Sequence, residues 1–336
     1  MNPLALLRRL RIDPYIVAIL LMVVAASLLP ARGVAATGLD WLTKVVIAIL
    51  FFLHGAKLSR EAVIAGLGHW RLHLLVLAST FAIFPLLGFA ATLLPEQVLP
   101  HALSVGVLFL CCLPSTVQSS IAFTSVARGN VAAAVVSASA SNLFGIALTP
   151  LLAGLLMSRT HSGGFSMSAV WSVLIQLLLP FVAGQVSRIW LAHWADRNRK
   201  ILGLFDRGTI LLVVYSAFSE AVIRGIWRQV SILDLAKLLV VCVVLLVAIL
   251  AITAWLARAF HFAKPDEIAI VFCGSKKSLA SGVPMAGILF PPATVGIMIL
   301  PLMLFHQIQL MACAVIAQRY ADRAPDEPLL SPSPAE

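Results

Sequence analysis

Two adjacent lysines, Lys276 and Lys277, stand in the middle of an apolar stretch that runs from Glu267 to Phe290. An ammonium at the centre of a bilayer costs about 3 kcal/mol on insertion scales, so both must face protein or water rather than lipid. A cation kept at such a place attracts an anion, and out of water it can exchange a proton. The residues around the pair, Gly274, Ser275, Ser278, Gly282 and Pro284, interrupt a helix. A second interruption lies in the stretch from His101 to Val126, where Leu113 is followed by Pro114, Ser115, Thr116, Val117, Gln118, Ser119 and Ser120. Proline there removes a backbone donor and clashes with the preceding turn. An interrupted helix leaves amides unpaired where one half begins and carbonyls unpaired where the other ends. The first set attracts an anion and the second a cation.

Other residues could join that chemistry. Ala133, Ser137, Ser141, Gly145 and Thr149 recur every four residues, beside a parallel row of Ala134, Ala138 and Asn142. Small residues at this spacing let a second helix approach closely, which is the main reading of the row; Ser141 and Asn142 could also reach a central cavity. Glu220 is an acid near the end of an apolar run, able to pair with a lysine, to belong to a proton path, or to sit at the headgroup level beside Arg224. His306 and Gln309 fall on adjacent helical faces, with Gln307 between them, as cavity-lining or packing residues. His54 and Lys57 lie at one end of a run and read as structural. The five cysteines, Cys111, Cys112, Cys242, Cys273 and Cys313, all lie in apolar stretches and match no zinc or disulfide spacing. Gly274-Ser275-Lys276 lacks the upstream glycine spacing of a phosphate loop, and no hydrolase, zinc-protease or prenyl-binding motif is present, so the chain is expected not to be an enzyme.

The elements that must position these residues are membrane spans. The hydrophobic fraction is 61%, only 11% of residues are charged, and mean hydropathy is +1.01. A soluble domain of 336 residues could not hide so much apolar surface. A span needs about 20 mainly apolar residues. Ten candidates result: Tyr15–Pro30, Leu39–Ala56, Leu72–Leu94, His101–Val126, Asn130–Met157, Ser168–Trp190, Gly208–Trp227, Ile232–Ala259, Glu267–Phe290 and Ala293–Ala317. Arg8, Arg9 and Arg11 before the first run imitate a signal peptide; the many later spans make it a retained first helix. Trp41, Trp171, Trp190 and Trp227 sit near span ends, as an interfacial belt would place them. The segment 321–336 is proline-rich and acidic and reads as a disordered cytoplasmic tail.

Charge orients the spans. With the N-terminus inside, the cytoplasmic segments hold sixteen basic residues: Arg8, Arg9, Arg11, Lys57, Arg60, Arg71, Arg128, Arg188, Arg197, Arg199, Lys200, Arg207, Arg258, Lys264, Arg319 and Arg323. The other side holds Arg32, Arg159, Arg224 and Arg228. This positive-inside split predicts an integral plasma-membrane protein, in the inner membrane if bacterial, with both termini cytoplasmic. It also accounts for the net charge of +10 without nucleic acid. The two interruptions are 161 residues apart, measured between Cys112 and Cys273, close to half the chain. Interrupted helices at corresponding positions point to an inverted repeat. The expected fold is therefore all-α: two inverted five-helix repeats, 1–157 and 158–320, with spans four and nine broken and crossing.

The chain resembles the bile acid:sodium symporter family, and within it the bacterial branch similar to sodium/bile acid cotransporter 7. The resemblance covers about Ile12 to Tyr320. It is carried by the segment from Phe51 through His54-Gly55-Ala56-Lys57 to Ser59, by Leu113 to Ser125, by Val213-Val214-Tyr215-Ser216-Ala217-Phe218-Ser219-Glu220, and by Phe272-Cys273-Gly274-Ser275-Lys276-Lys277-Ser278-Leu279-Ala280. It implies ten helices, with a panel and a core that move against each other. It implies a carrier of a small organic anion, working by alternating access in the lipid bilayer, with coupling to sodium, to protons or to nothing. In sodium-coupled relatives a glutamine of the third helix stands five residues before a proline; here Pro85 puts Thr80 in its place. The glutamate and glutamine of their ninth helix fall on Phe272 and Lys276, or with a one-residue gap on Val271 and Ser275. One family sodium site is thus dismantled. The other would draw on Ser119, Ser120, Ser137, Ser141 and Asn142, making sodium the one candidate bound ion. Either Lys276 or Lys277 is expected to stand in for a sodium ion. Two alternatives remain: an efflux permease of the same superfamily, suggested by Cys111 and Cys112 beside the break, and a non-transporting regulator of ion or envelope homeostasis.

Overall fold

The computed structural model describes residues 14–57, 69–157, 167–223, 225 and 230–322. The tail from Arg323 onward lies outside them, as do Arg8, Arg9, Arg11, Arg60, Arg159, Arg224, Trp227 and Arg228, which the charge and belt arguments used. Every regular element among the described residues is helical. In chain order the helices are α1 (Pro14–Leu28), α2 (Val34–Lys57), α3 (Trp70–Ala78), α4 (Phe84–Thr92), α5 (His101–Cys112), α6 (Gln118–Val126) and α7 (Val131–Met157). There follow α8 (Met167–Arg197), α9 (Arg199–Ile223), α10 (Ile232–Ala259), α11 (Lys264–Gly274), α12 (Leu279–Leu289) and α13 (Pro292–Ala321).

Among the described residues six helical stretches are long and apolar enough to cross a bilayer: Val34–Ala56, Trp70–Thr92, Val131–Met157, Lys200–Ile223, Ile232–Ala259 and Pro292–Ala321. The other expected spans are shorter as apolar helices. The first is α1, two are the interrupted pairs α5/α6 and α11/α12, and the last is α8, apolar over Ile175–Leu191 among its described residues. The largest boundary differences from expectation lie between the sixth and seventh spans. Helix α8 runs on past Trp190 to Arg197, and α9 begins at Arg199 rather than Gly208. Both extensions carry charged residues, Asp196 and Arg197 on one and Arg199, Lys200, Asp206 and Arg207 on the other, at which an apolar reading of the sequence stops.

The helices form two groups. In one, α2 packs along α8 while α9 lies against α1 and α2. In the other, α3 to α7 and α10 to α13 surround the two interruptions. Helix α9 joins the groups by packing on α12 and α13, and α8 joins them by packing on α7. Small residues allow the closest approach. A Cβ built on Gly184 of α8 would collide with the Phe52 carbonyl, and one on Gly55 of α2 with the Phe181 carbonyl, so the two backbones touch there.

Local chemistry sets the ends. Ser231 Oγ accepts the Asp234 N–H at 3.1 Å and the Asp234 carboxylate accepts the Ser231 N–H at 3.1 Å, a reciprocal cap that starts α10. The α2–α8 contact yields a test. Gly184→Ala should cost about 1–3 kcal/mol through forced separation of the backbones. Gly203→Ala, whose Cβ would meet nothing within 4 Å, should be neutral or slightly stabilising. Melting temperatures in detergent compare the two directly.

Candidate functional site

The site grows from three places where a helix fails to satisfy its own backbone. The first lies between α3 and α4. Residues Ser79–Ile83 form a π-helical turn in which the Phe84 N–H reaches the Ser79 carbonyl, five residues back. The π partner of Thr80 would be residue 85, but Pro85 has no N–H. The Thr80 carbonyl is left open to another donor, while the Thr80 hydroxyl turns back to Val76 O at 2.8 Å.

The second place is the gap between α5 and α6. Leu113 takes an extended conformation (ψ 156°), and Pro114 ends the ladder. The carbonyls from Leu110 to Ser115 would be orphans in an apolar interior. Each has a partner. Leu110 O accepts Leu113 N at 3.3 Å, Cys112 O the Thr149 hydroxyl at 2.9 Å, Pro114 O the Ser278 N–H at 2.9 Å and Ser115 O the Asn142 amide at 2.8 Å. The Ser115 N–H donates to Ser141 Oγ at 3.0 Å. Pro114 can sit so close to α7 because residue 145 is glycine: a Cβ there would lie 2.6 Å from Pro114 Cβ. The four-residue row on α7, read mainly as packing, therefore also hydrogen-bonds the break through Ser141, Asn142 and Thr149. Ser137 is placed apart from it, 2.7 Å from His73 Nδ1, a partner with no sequence signal.

The two carbonyls left over, Cys111 and Leu113, go to Lys277. Its Nζ donates to Cys111 O at 2.7 Å, Leu113 O at 2.6 Å and Thr80 O at 2.9 Å. All three ammonium protons are thus used on open carbonyls from two interrupted helices. The Phe84 ring covers the same nitrogen at 4.1 Å from its centroid, and Phe81 lies at 6.0 Å. Lys277 is fully buried.

Lys277 belongs to the third interruption, between α11 and α12. Its backbone is gripped by Gln309 of α13: the Lys277 N–H donates to Gln309 Oε1 at 2.9 Å, and Gln309 Nε2 donates to Lys277 O at 2.8 Å. The carboxamide acts as a substitute peptide. His306 Nδ1 lies 3.3 Å from Lys277 O and 2.9 Å from Gln309 Nε2. The breaks also tie to each other. The Ser115 hydroxyl donates to Cys273 O at 2.6 Å and the Ser120 hydroxyl to Phe272 O at 3.0 Å. Ser278 caps α12 by accepting the Ser281 N–H at 3.2 Å, and the Ser281 hydroxyl donates to Asn142 Oδ1 at 2.8 Å.

Lys276 points elsewhere. It too is fully buried, but among the described residues Nζ has one oxygen partner, Ser119 O at 3.0 Å. The Phe123 and Phe272 rings flank it at 4.0 and 5.1 Å. Among the described residues neither lysine pairs with a carboxylate. Thr116 Oγ1 stands 2.7 Å from Ser119 Oγ and 3.0 Å from Ser120 Oγ. Gln118 is exposed, and the buried Ser275 hydroxyl has no partner.

The structure thus gathers Lys276, Lys277, Ser278, Thr80, Pro114, Ser115, Thr116, Ser119, Ser120, Ser141, Asn142 and His306 into one network. Glu220 is outside it: it is part-buried near the end of α9, and both lysines donate to carbonyls instead. His54 lies 3.7 Å from Asp206, joining α2 to α9. Cys111 and Cys112 contribute carbonyls, and no group of His, Cys, Asp and Glu among the described residues could hold a metal ion. Phe123, His73 and Thr149 were not singled out for this role by the sequence.

Comparison with known proteins bears on the whole chain. Residues 13–322 match the SBF-like CPA transporter family (DUF4137). An uncharacterized Pseudomonas aeruginosa protein, PA2026, is 56% identical over 314 residues, 94% of each chain. YfeH of Escherichia coli (strain K12), whose name proposes a symporter, is 56% identical over 310 residues, 92% of this chain and 93% of its own. Sodium/bile acid cotransporter 7 of Rattus norvegicus is 28% identical over 322 residues, 93% of each.

The clamp on Lys277 yields a paired test two residues apart. Gln309→Leu leaves the Lys277 N–H and C=O without their partner and should cost about 2–4 kcal/mol. Gln307→Leu removes a buried Oε1 that has no partner and should be neutral or stabilising. Denaturation midpoints of the two variants check the contrast.

Proposed function

This chain belongs to the SBF-like CPA transporter family, a family of transporters and not of enzymes, and from that premise we propose that it is a secondary-active carrier of a small organic anion. It works by alternating access in the plasma membrane, the inner membrane of a bacterium, with both termini cytoplasmic. Its ten spans form two inverted five-helix repeats, 1–157 and 158–320, with spans four and nine broken and crossing. The group of α1, α2, α8 and α9 moves against the group that holds the breaks.

The observation that carries this reading is the seat of Lys277. Three backbone carbonyls and an aromatic face converge on one ammonium, the donor set a bare monovalent cation would take. We read the lysine as a tethered cation because Nζ takes Thr80 O, the position that the resemblance matches to a sodium-site glutamine of sodium-coupled relatives. The second family site fits sodium less well. Ser119 and Ser120 are engaged with Thr116, Ser137 with His73, Ser141 with Ser115, and Asn142 with Ser115 and Ser281. A sodium ion there would have to displace those bonds. Two buried lysines with no carboxylate partner among the described residues favour an anionic solute, since its charge completes the balance. The word bile acid in the relatives' names belongs to those proteins.

The test is transport by proteoliposomes offered a panel of radiolabelled organic acids over a range of pH. Lys276→Met and Lys277→Met should each lose most uptake, by tenfold or more, or lose its dependence on pH. Uptake and pH dependence unchanged in both variants would refute the reading.

A further inference from the structure

Lys276 and Lys277 are neighbours in sequence and opposites in surroundings. Lys277 has three oxygen acceptors for three protons. Nothing is left for it to bind, and losing its proton would orphan one of those carbonyls. Lys276 has one acceptor, Ser119 O, and beyond that the faces of Phe123 and Phe272. Its other two N–H bonds have no oxygen partner among the described residues. An ammonium so placed is poorly compensated, because a buried charge needs both a counter-charge and hydrogen bonds. An amine in the same place needs far less. The two side chains also leave the break in different directions. Lys277 reaches toward Thr80, Cys111 and Leu113. Lys276 lies in a cluster with Phe123 and Phe272, against which Tyr320 packs, its ring 6.2 Å from that of Phe272.

Resting on the carrier reading above, we propose that Lys276 is the proton-carrying group of this transporter, while Lys277 stays charged throughout. With the solute bound, its anionic oxygen supplies the acceptor that the two bare N–H bonds of Lys276 lack, and the ammonium form is held. When the solute leaves, an N–H bond of Lys276 breaks, the electron pair stays on Nζ as the amine lone pair, and the proton passes to water on that side. On the loading side water returns a proton to the amine. Proton and anion each favour binding of the other, a reciprocal coupling. One proton accompanies one negative charge, so carrying a monoanion moves no net charge.

The groups that face Lys276 fit this role. Helix α6 brings Ser119 and Phe123 and no titratable side chain. Helix α11 brings the Cys273 thiol, and α13 the Cys313 thiol. The charge of Lys277 is next to it in the chain. Farther along α11, beyond Phe272, Glu267 accepts from Arg258 of α10 at 3.1 Å, from Lys264 at 2.8 Å and from Tyr320 of α13 at 3.2 Å. Helix α7 carries no titratable residue, and His73 of α3 is engaged with Ser137. No carboxylate among the described residues touches Lys276 to hold its proton permanently.

Nitrogen-15 NMR of lysine-labelled protein in lipid bilayers tests the assignment without any solute, because ammonium and amine nitrogens have distinct shifts. In the wild type one lysine signal should pass from ammonium to amine before the surface lysines do as pH is raised, while a second, perturbed by aromatic rings, stays ammonium. Lys276→Met should delete the titrating signal, with Lys276→Gln as a second variant should the first fold poorly. A titrating signal that survives in the Lys276 variants, or the absence of any lysine titrating before the surface ones, overturns the proposal. The outcome is separable from that of the carrier reading. Should Lys276 titrate while no organic anion is transported, the carrier reading fails and the assignment stands; should anions be transported while Lys276 does not titrate, the reverse holds.

Discussion

The bond set of one ammonium holds the centre of this molecule together. Lys277 Nζ reaches Thr80 O, Cys111 O and Leu113 O, carbonyls that a π-turn and a proline-broken helix cannot satisfy themselves. Without a donor each would carry a desolvation cost of about 1–3 kcal/mol. The ammonium in turn could not be buried without them. Neither break is tolerable alone at this depth; each is made tolerable by the other, together with hydroxyls and amides from α7 and the Gln309 clamp from α13. Irregular backbone in a membrane protein survives only where protein or a cavity encloses it, and here it is enclosed by polar side chains spaced one turn apart.

That arrangement explains the rest of the architecture. The group of α3 to α7 and α10 to α13 surrounds the interruptions, and its residues are small where a neighbour's side chain presses on the helix backbone, as at Gly145 under Pro114 and Gly282 under Leu113. The group of α1, α2, α8 and α9 is joined to it mainly through α9 on α12 and α13, and has its own close contact at Gly55 and Gly184. A rigid centre and a separately packed partner suit a carrier in which the centre is not remade at each turnover.

Much of this was legible in the sequence. Lys276 and Lys277 stood out because charge inside an apolar run has few explanations, and both interruptions showed as proline and hydroxyl residues inside such runs. Thr80 was found through Pro85, the same residue that opens its carbonyl. What the sequence hid is geometry that depends on where side chains turn. Nothing in Lys276-Lys277 tells which lysine meets three carbonyls and which meets two rings. The α7 row looked like packing because serine, threonine and glycine serve packing and hydrogen bonding alike. Gln309 reads equally as a cavity or a packing residue, and nothing in its position tells that its partner is the Lys277 backbone. The charge-bearing ends of α8 and α9 escape the sequence reading because apolarity marks what lipid touches, not where a helix stops.

The central claim is that a lysine holds the place of a mobile cation. The most direct measurement is the melting temperature of the purified protein in sodium chloride and in choline chloride at equal ionic strength. A ligand that binds only the folded state raises that temperature by mass action. With Lys277 already on the open carbonyls, the two temperatures should agree. A sodium-specific rise would contradict the account, because it would reveal a cation site that the lysine does not fill.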